Sequence, residues 1–255
     1  MIKAVFFDID GTLVSLGTHR IPQSTLDALD ALRGRGIKLF ICSGRPYCAI
    51  DNLEGQQFDG FITVNGGICA IEGQTVYRNP IPAQDISGWK TYIERHGTDC
   101  FFITENQVYR SSMSRATEDF IKLLNFIHPD IRTFDRLDEP IYQMVGLFGS
   151  ECDDEVSRTL PHCRLARWHH TFSDIVSASS DKSNGMKAIL ERAGIGRGEC
   201  MAFGDGANDI GMLRFAGTGV AMGGSMPAVT DAADYVTQNV DDDGIWNALK
   251  HFSVI

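Results

Sequence analysis

Apolar positions along this chain follow two periods. Ala4-Val5-Phe6-Phe7, Ile37-Lys38-Leu39-Phe40-Ile41-Cys42, Phe61-Ile62-Thr63-Val64 and Cys200-Met201-Ala202-Phe203 are short, nearly unbroken apolar runs. Such runs predict strands buried on both faces, the mark of a parallel sheet clothed by helices. Between the first two, Pro22 can open a helix whose Leu26, Leu29 and Leu32 line one face, and Gly34 and Gly36 can end it. Alternating segments around Glu72-Gly73-Gln74 predict a hairpin. After residue 182 the strand–helix alternation returns: helix 183–193, strand 200–203, helix 207–215, strand 218–222, helix 226–232, strand 234–237 and helix 243–252.

The middle of the chain breaks that rhythm. Asn79-Pro80-Ile81-Pro82 is a stiff, non-helical linker. It leads to a predicted helix 83–96 (Ile86, Trp89 and Ile93 on one face), strands near 99–104 and 106–110, and helix 114–127 striped by Phe120, Leu123, Leu124 and Ile127. A loop through Pro140 then precedes strand 141–148, helix 151–160 and strands near 163–168 and 172–178. This αββαβαββ order predicts a separate α+β unit over residues 83–177, inserted into an α/β domain made of 1–82 and 178–255. Ser177-Ala178-Ser179-Ser180 is the return linker.

The 255 residues suffice for one large domain or two modest ones, and 43% apolar with 22% charged residues is ordinary for a globular protein. Lys3, Asp8 and Asp10 interrupt the first apolar stretch, so it does not read as a secretory signal, and no run reaches membrane-spanning length. Seven cysteines without a Cys-x-x-Cys pair predict free thiols in a reducing cytoplasm. A net charge of −10 argues against a nucleic-acid partner. It also repels anionic substrates at long range, so any phosphate must be drawn in by a local cation.

The chemistry sits where the apolar runs stop. The first ends in Asp8-Ile9-Asp10-Gly11-Thr12-Leu13, the second in Ser43-Gly44-Arg45-Pro46, the third in Asn65-Gly66-Gly67 and the fourth in Gly204-Asp205-Gly206-Ala207-Asn208-Asp209; Asp181-Lys182-Ser183-Asn184-Gly185 opens a helix. In open α/β sheets, ligands bind beyond these carboxyl ends. On an ideal strand Asp8 and Asp10 would share a face, and two carboxylates held together need a cation or a shared proton. Acids, a hydroxyl beside a Gly amide and a Lys together suit phosphoryl transfer to a carboxylate.

In these motifs and their order the chain resembles the haloacid dehalogenase (HAD) superfamily of phosphatases, and the placement of the insert resembles the type IIB cap of its Cof-type members. The resemblance implies a doubly wound, Rossmannoid parallel-sheet core with an inserted α+β cap. It implies Asp8 as nucleophile and Asp10 as general acid and base. Asp8, Asp205 and the main-chain carbonyl of Asp10 would bind Mg²⁺, with Asn208 and Asp209 orienting water or ligand oxygens around it. Ser43 and the Gly44 amide would bind phosphate, Asn65 the phosphate-bearing part of the substrate, and Arg45 would more often face the helix. Lys182 is preferred over Lys187 as the phosphate-pairing cation, because Gly185 and Gly194-Ile195 set the family register.

Other readings of single residues are bland. Asp10 as a turn cap, Asp209 as a helix N-terminal acid and Asn65 as a turn residue all remain open. His162-Cys163 and His169-His170 suggest soft-metal ligands, but a non-metal role is favoured, with His169 or His170 free to touch substrate; Phe101, Phe102 and Trp168 read as cap core. The expected function is Mg²⁺-dependent hydrolysis of small phosphomonoesters, sugar phosphates foremost, by a cytoplasmic monomer or weak homo-oligomer that binds no nucleic acid or membrane. A sugar phosphomutase shares every motif, and a phospho-accepting receiver shares the acids, hydroxyl and Lys but has no insert.

Overall fold

The computed structural model describes residues 1–124, 132, 137 and 139–255. It divides into two compact units, one of residues 1–45, 50–78 and 181–255, the other of residues 46–49 and 79–180.

The first unit is built on an eight-stranded sheet in the order β13-β12-β11-β1-β2-β3-β4-β5. The parallel part comprises β1 (Ala4–Phe7), β2 (Lys38–Cys42), β3 (Gly60–Thr63), β11 (Cys200–Gly204), β12 (Thr218–Ala221) and β13 (Tyr235–Val236). The hairpin β4 (Ile68–Ile71) and β5 (Gln74–Arg78) extends it antiparallel. Strand periodicity divides the core into two layers. Val5 and Phe7 face the layer that holds Ala28, Leu29 and Leu32 of α1 (Gln23–Gly34) with Ile245, Ala248 and Leu249 of α7 (Gly244–His251). Ala4 and Phe6 face the layer that holds Met186, Ile189 and Leu190 of α5 (Lys182–Ala193) with Met212 and Leu213 of α6 (Ile210–Phe215). All four β1 residues are fully buried, which is why the run carries no polar alternation.

Helix α5 approaches the sheet closely because Gly185 is bare. A Cβ there would stand 2.6 Å from Ile62 and 2.7 Å from the Cys69 sulfur. Asp181 caps the helix by accepting from the Ser183 amide (2.8 Å), and Gly194 ends it at φ 66°.

Among the described residues the second unit has the predicted αββαβαββ order: α2 (Ala83–His96), β6 (Cys100–Ile103), β7 (Val108–Arg110), α3 (Arg115–Leu124), β8 (Gln143–Gly146), α4 (Asp153–Thr159), β9 (Cys163–His169) and β10 (Phe172–Ser177). Its strands form an antiparallel five-stranded sheet, β7-β6-β8-β10-β9. Trp89, Phe102, Met144, Val156 and Ile175 make its core. Phe101 packs on Phe120, with ring centroids 4.6 Å apart. The predicted helix end at 125–127 and the Trp168 side chain lie outside the described residues. The two ends of the insert are tied together, since the Asn79 amide donates to the Ser179 and Ser180 hydroxyls at 3.0 Å each.

Candidate active site

Strand β1 stops at Phe7, and the backbone turns at once. The amides of Thr12, Leu13 and Val14 all converge on the Ile9 carbonyl at 3.3, 3.0 and 2.8 Å. Gly11 sits at φ +87°, and a Cβ there would fall 2.4 Å from an Asp205 carboxylate oxygen. Only glycine serves both conditions. Strand β1 ends before Asp8, and the carboxylates of Asp8 and Asp10 take different partners.

Asp8 meets Lys182, whose Nζ lies 2.5 Å from Asp8 Oδ1 and 2.6 Å from Asp209 Oδ1. Lys182 is the first residue of α5, where a cation opposes the helix dipole; the two carboxylates outweigh it. Asp209 Oδ2 accepts from the amides of Asp205 (3.0 Å) and Gly206 (2.8 Å), so this fully buried acid ties the β11 loop to Lys182. Asp205 Oδ1 accepts from the Thr12 hydroxyl at 2.9 Å. Lys187, by contrast, is exposed.

The residues expected on the phosphate side come from two neighbouring strand ends. Ser43 is buried, and its hydroxyl accepts from the Arg45 amide (3.1 Å). After β3 the chain holds Val64 at φ 48°, Asn65 at φ 54° and Gly66 at φ 87°. A β-branched residue in the left-handed region is strained, and such strain persists only where the surroundings hold it. Here the Val64 amide donates to the Arg45 carbonyl and the Asn65 amide to the Ser43 carbonyl, at 3.1 Å each. At Gly66 a Cβ would lie 2.1 Å from the Asp181 carbonyl. The product is a placed side chain: Asn65 Oδ1 accepts from Asn208 Nδ2 (3.0 Å), and both amides border Gly44, whose Cβ would stand 3.2 Å from Asn65 and 3.6 Å from Asn208.

Asp10 belongs to a separate arrangement. Arg45 grips it with a fork, Nε to Oδ2 at 2.8 Å and Nη2 to Oδ1 at 2.7 Å, and Asn52 Nδ2 adds a longer contact of 3.4 Å to Oδ1. Arg45 thus pairs with an acid and does not lie idle along a helix. Neither its role nor that of Asn52 follows from the sequence; Asn52 stands in an irregular stretch with no pattern around it. Thr12 was legible only as part of its motif.

The electrostatics around Asp8 are those of a site with more acid than base. Burial pushes the Asp8 carboxyl well above the usual range; Lys182 pulls it down, while Asp209 and Asp205 add to the rise. Burial also works against the Lys182 ammonium, but Asp209 and Asp8 overcome it and raise its pKa. Burial lifts Asp205 to about 6, opposed by the Thr12 hydrogen bond and reinforced by Asp209. Asp8 and Asp205 therefore hold a proton to higher pH than free carboxyls do, a rise that another cation would offset.

The donor set suits such a cation. Carboxylate oxygens of Asp8, Asp205 and Asp209 lie within 4.8 Å of one another. Both Asp209 oxygens already have donors, whereas Asp8 and Asp205 each spend Oδ1 on a protein donor and have Oδ2 to offer. Oxygen-only ligands fit a hard divalent ion.

The histidines of the second unit serve other partners. His162 Nδ1 lies 2.9 Å from the buried Asp85, and His169 Nδ1 lies 2.9 Å from the Thr171 hydroxyl.

The family model described as haloacid dehalogenase-like hydrolase matches residues 5–249. The chain is 39% identical to the HAD subclass IIB sugar phosphatase BT4131, with a TM-score of 0.90 over 99% of this chain and 100% of that one. It is 32% identical to BT1666 of Bacteroides thetaiotaomicron, a protein studied among HAD phosphatases, with a TM-score of 0.91 over 100% and 96% of the two chains. Among curated proteins it is 27% identical over 254 residues to the 5-amino-6-(5-phospho-D-ribitylamino)uracil phosphatase YcsE of Bacillus subtilis, covering 98% of this chain and 96% of that one.

Proposed function

The chain belongs to the haloacid dehalogenase-like hydrolases as a phosphatase, and from that premise we propose that it is a Mg²⁺-dependent hydrolase of small phosphomonoesters, sugar phosphates foremost, working through an aspartyl-phosphate. The observation that carries the reading is the buried Lys182 ammonium shared between Asp8 and Asp209 beside Asp205. It supports the reading by holding a carboxylate at the carboxyl end of the central strand, the side on which open α/β sheets bind their ligands.

In the first half-reaction an Asp8 carboxylate oxygen attacks phosphorus. The bond from phosphorus to the ester oxygen breaks, its electron pair stays on that oxygen, and Asp10 supplies the proton that makes it an alcohol. In the second, Asp10 takes a proton from water, the water oxygen attacks phosphorus, and the Asp8–phosphorus bond breaks to restore the carboxylate and release inorganic phosphate. Lys182 holds the transferring group by point charge. Ser43, the Gly44 amide, Asn65 and Asn208 supply hydrogen bonds to phosphate or to the group that bears it. Asp8, Asp205 and the Asp10 carbonyl would hold Mg²⁺, with Asp209 fixing the loop; the ion would offset the excess acid charge and stabilise charge on the transferring phosphoryl. Residues 83–177 are assigned the selection of substrate, supported by the sugar phosphatase among the similar structures.

A screen of hexose, pentose, nucleotide and coenzyme phosphates with Mg²⁺, reading released phosphate and isomerised sugar phosphate side by side, tests this. Phosphate release from a hexose or pentose phosphate supports the reading. Isomerisation without release would make the protein a phosphomutase. A stable phospho-Asp8 without turnover would make it a receiver.

A further inference from the structure

We propose that Arg45 and Asn52 are positioning residues for Asp10, fixing the plane of its carboxyl group so that it can exchange a proton with the leaving oxygen. The inference rests on the phosphatase reading and deepens it. A guanidinium fork engages a carboxylate in its own plane, and the 2.8 and 2.7 Å contacts to the two oxygens are that geometry. A single contact would leave the carboxyl free to rotate about its χ2; two do not. Asn52 reaches Oδ1 from a separate stretch of chain, and its own carbonyl oxygen is buried with no donor among the described residues. Its amide is therefore placed for Asp10 and for no other hydrogen bond that the structure shows.

The backbone of Arg45 is fixed as firmly as its side chain. Its amide donates to the Ser43 hydroxyl and its carbonyl accepts from the strained Val64, so one residue joins the phosphate-side loops to the proton donor. Arg45 also lies 3.8 Å from Asp51, which biases the guanidinium without competing for the fork. The Asp10 and Arg45 side chains are 39% and 38% exposed. An ion pair that wet contributes little to folding. Its geometry serves placement, and its removal should leave the fold intact.

Leaving-group dependence separates positioning from structure. A poor leaving group such as the alkoxide of glucose 6-phosphate needs the proton; the nitrophenolate of p-nitrophenyl phosphate does not. With Mg²⁺ present, Arg45→Ala should lower kcat/KM for glucose 6-phosphate by about 30- to 100-fold while changing p-nitrophenyl phosphate by less than about threefold. Asn52→Ala should show the same split at about three- to tenfold, and Arg45→Lys should rescue little, because an ammonium cannot form the fork. On an Asp10→Asn background, Arg45→Ala should cost nothing further, since residues that act through one group are not additive. Equal losses on both substrates, or an additive loss in the double variant, would overturn the assignment. A wild-type enzyme inactive on every phosphomonoester would instead overturn the reading beneath it.

Discussion

Asp8 and Asp10 are separated by one residue and live in opposite surroundings. The Asp8 side chain is 11% exposed and its partner Lys182 not at all, whereas Asp10 and Arg45 are each more than a third exposed. On the Asp8 side, charge is confined in a low dielectric where each interaction is strong and where acids outnumber bases. On the Asp10 side, a guanidinium fork orients a group that water can reach. The difference matches two tasks. A nucleophile and its phosphoryl group gain from fixed, dry charges, and a proton carrier must meet first the leaving alcohol and then water. On the proposed mechanism environment would assign the roles, since the side chains are the same.

The largest effect should come from the dry side. Asp8→Asn replaces the attacking oxygen with an amide and should lower kcat on the order of 10^4-fold or more without loss of fold, as read by phosphate release and circular dichroism. Residual activity near wild type would end the covalent mechanism and the contrast with it. Exhaustive chelation should be nearly as damaging, with activity restored by Mg²⁺; full activity in chelator would remove the cation from Asp8 and Asp205.

Lys182→Ala comes next. The ammonium is fully buried between two acids, so its loss strands uncompensated charge, costing about 3–5 kcal/mol. It should lower kcat and raise KM together by about 10^2-fold overall, because the charge holds phosphate in ground and transition states alike. Without the ammonium the acids bind protons more tightly still, so metal-free Lys182→Ala should be destabilised more at pH 8 than at pH 5 by thermal melting.

How far this contrast was legible in the sequence depends on what each part rests on. The strands, the helices and the αββαβαββ insert follow from hydrophobic period, because burial on two faces or one imposes it directly. The motif residues follow from position at strand ends. That Asp8 and Asp10 take different partners did not follow, because period-2 reasoning holds only while the strand lasts and β1 stops at Phe7. Val64 in the left-handed region was unreadable too, as no residue preference announces a conformation that only tertiary hydrogen bonds sustain. Arg45 and Asn52 were missed for a related reason: a fork across 35 residues is a property of the loops' meeting, not of either loop.

A smaller effect tests the excess of acid directly. The folded-state pKa of Asp205, about 6, lies above its ordinary 3.8. The folded state therefore binds this proton more tightly than the unfolded chain does. Stability from it is full below the ordinary value, declines as pH rises, and is gone above about 6. Metal-free protein should accordingly lose melting temperature between those limits, and Asp205→Asn should flatten that part of the curve. Saturating Mg²⁺ should remove the loss as well, since cation and proton compete for the same oxygens. An unchanged slope in Asp205→Asn would show that the burial of this acid is not what limits the metal-free site.

The smallest expected effect belongs to Lys187. Five positions along α5 carry a side chain about 140° around the axis from Lys182, and the residue is exposed. Lys187→Ala should leave melting temperature unchanged and kcat/KM within about twofold at physiological salt. At low ionic strength a slight drop is expected, because any cation on a chain of net charge −10 eases the approach of an anionic substrate, and that ease vanishes once the Debye length shrinks to about 8 Å. A tenfold loss that persists at high salt would mean the phosphate answers to an exposed lysine, and the buried Lys182 would be left holding only the two aspartates together.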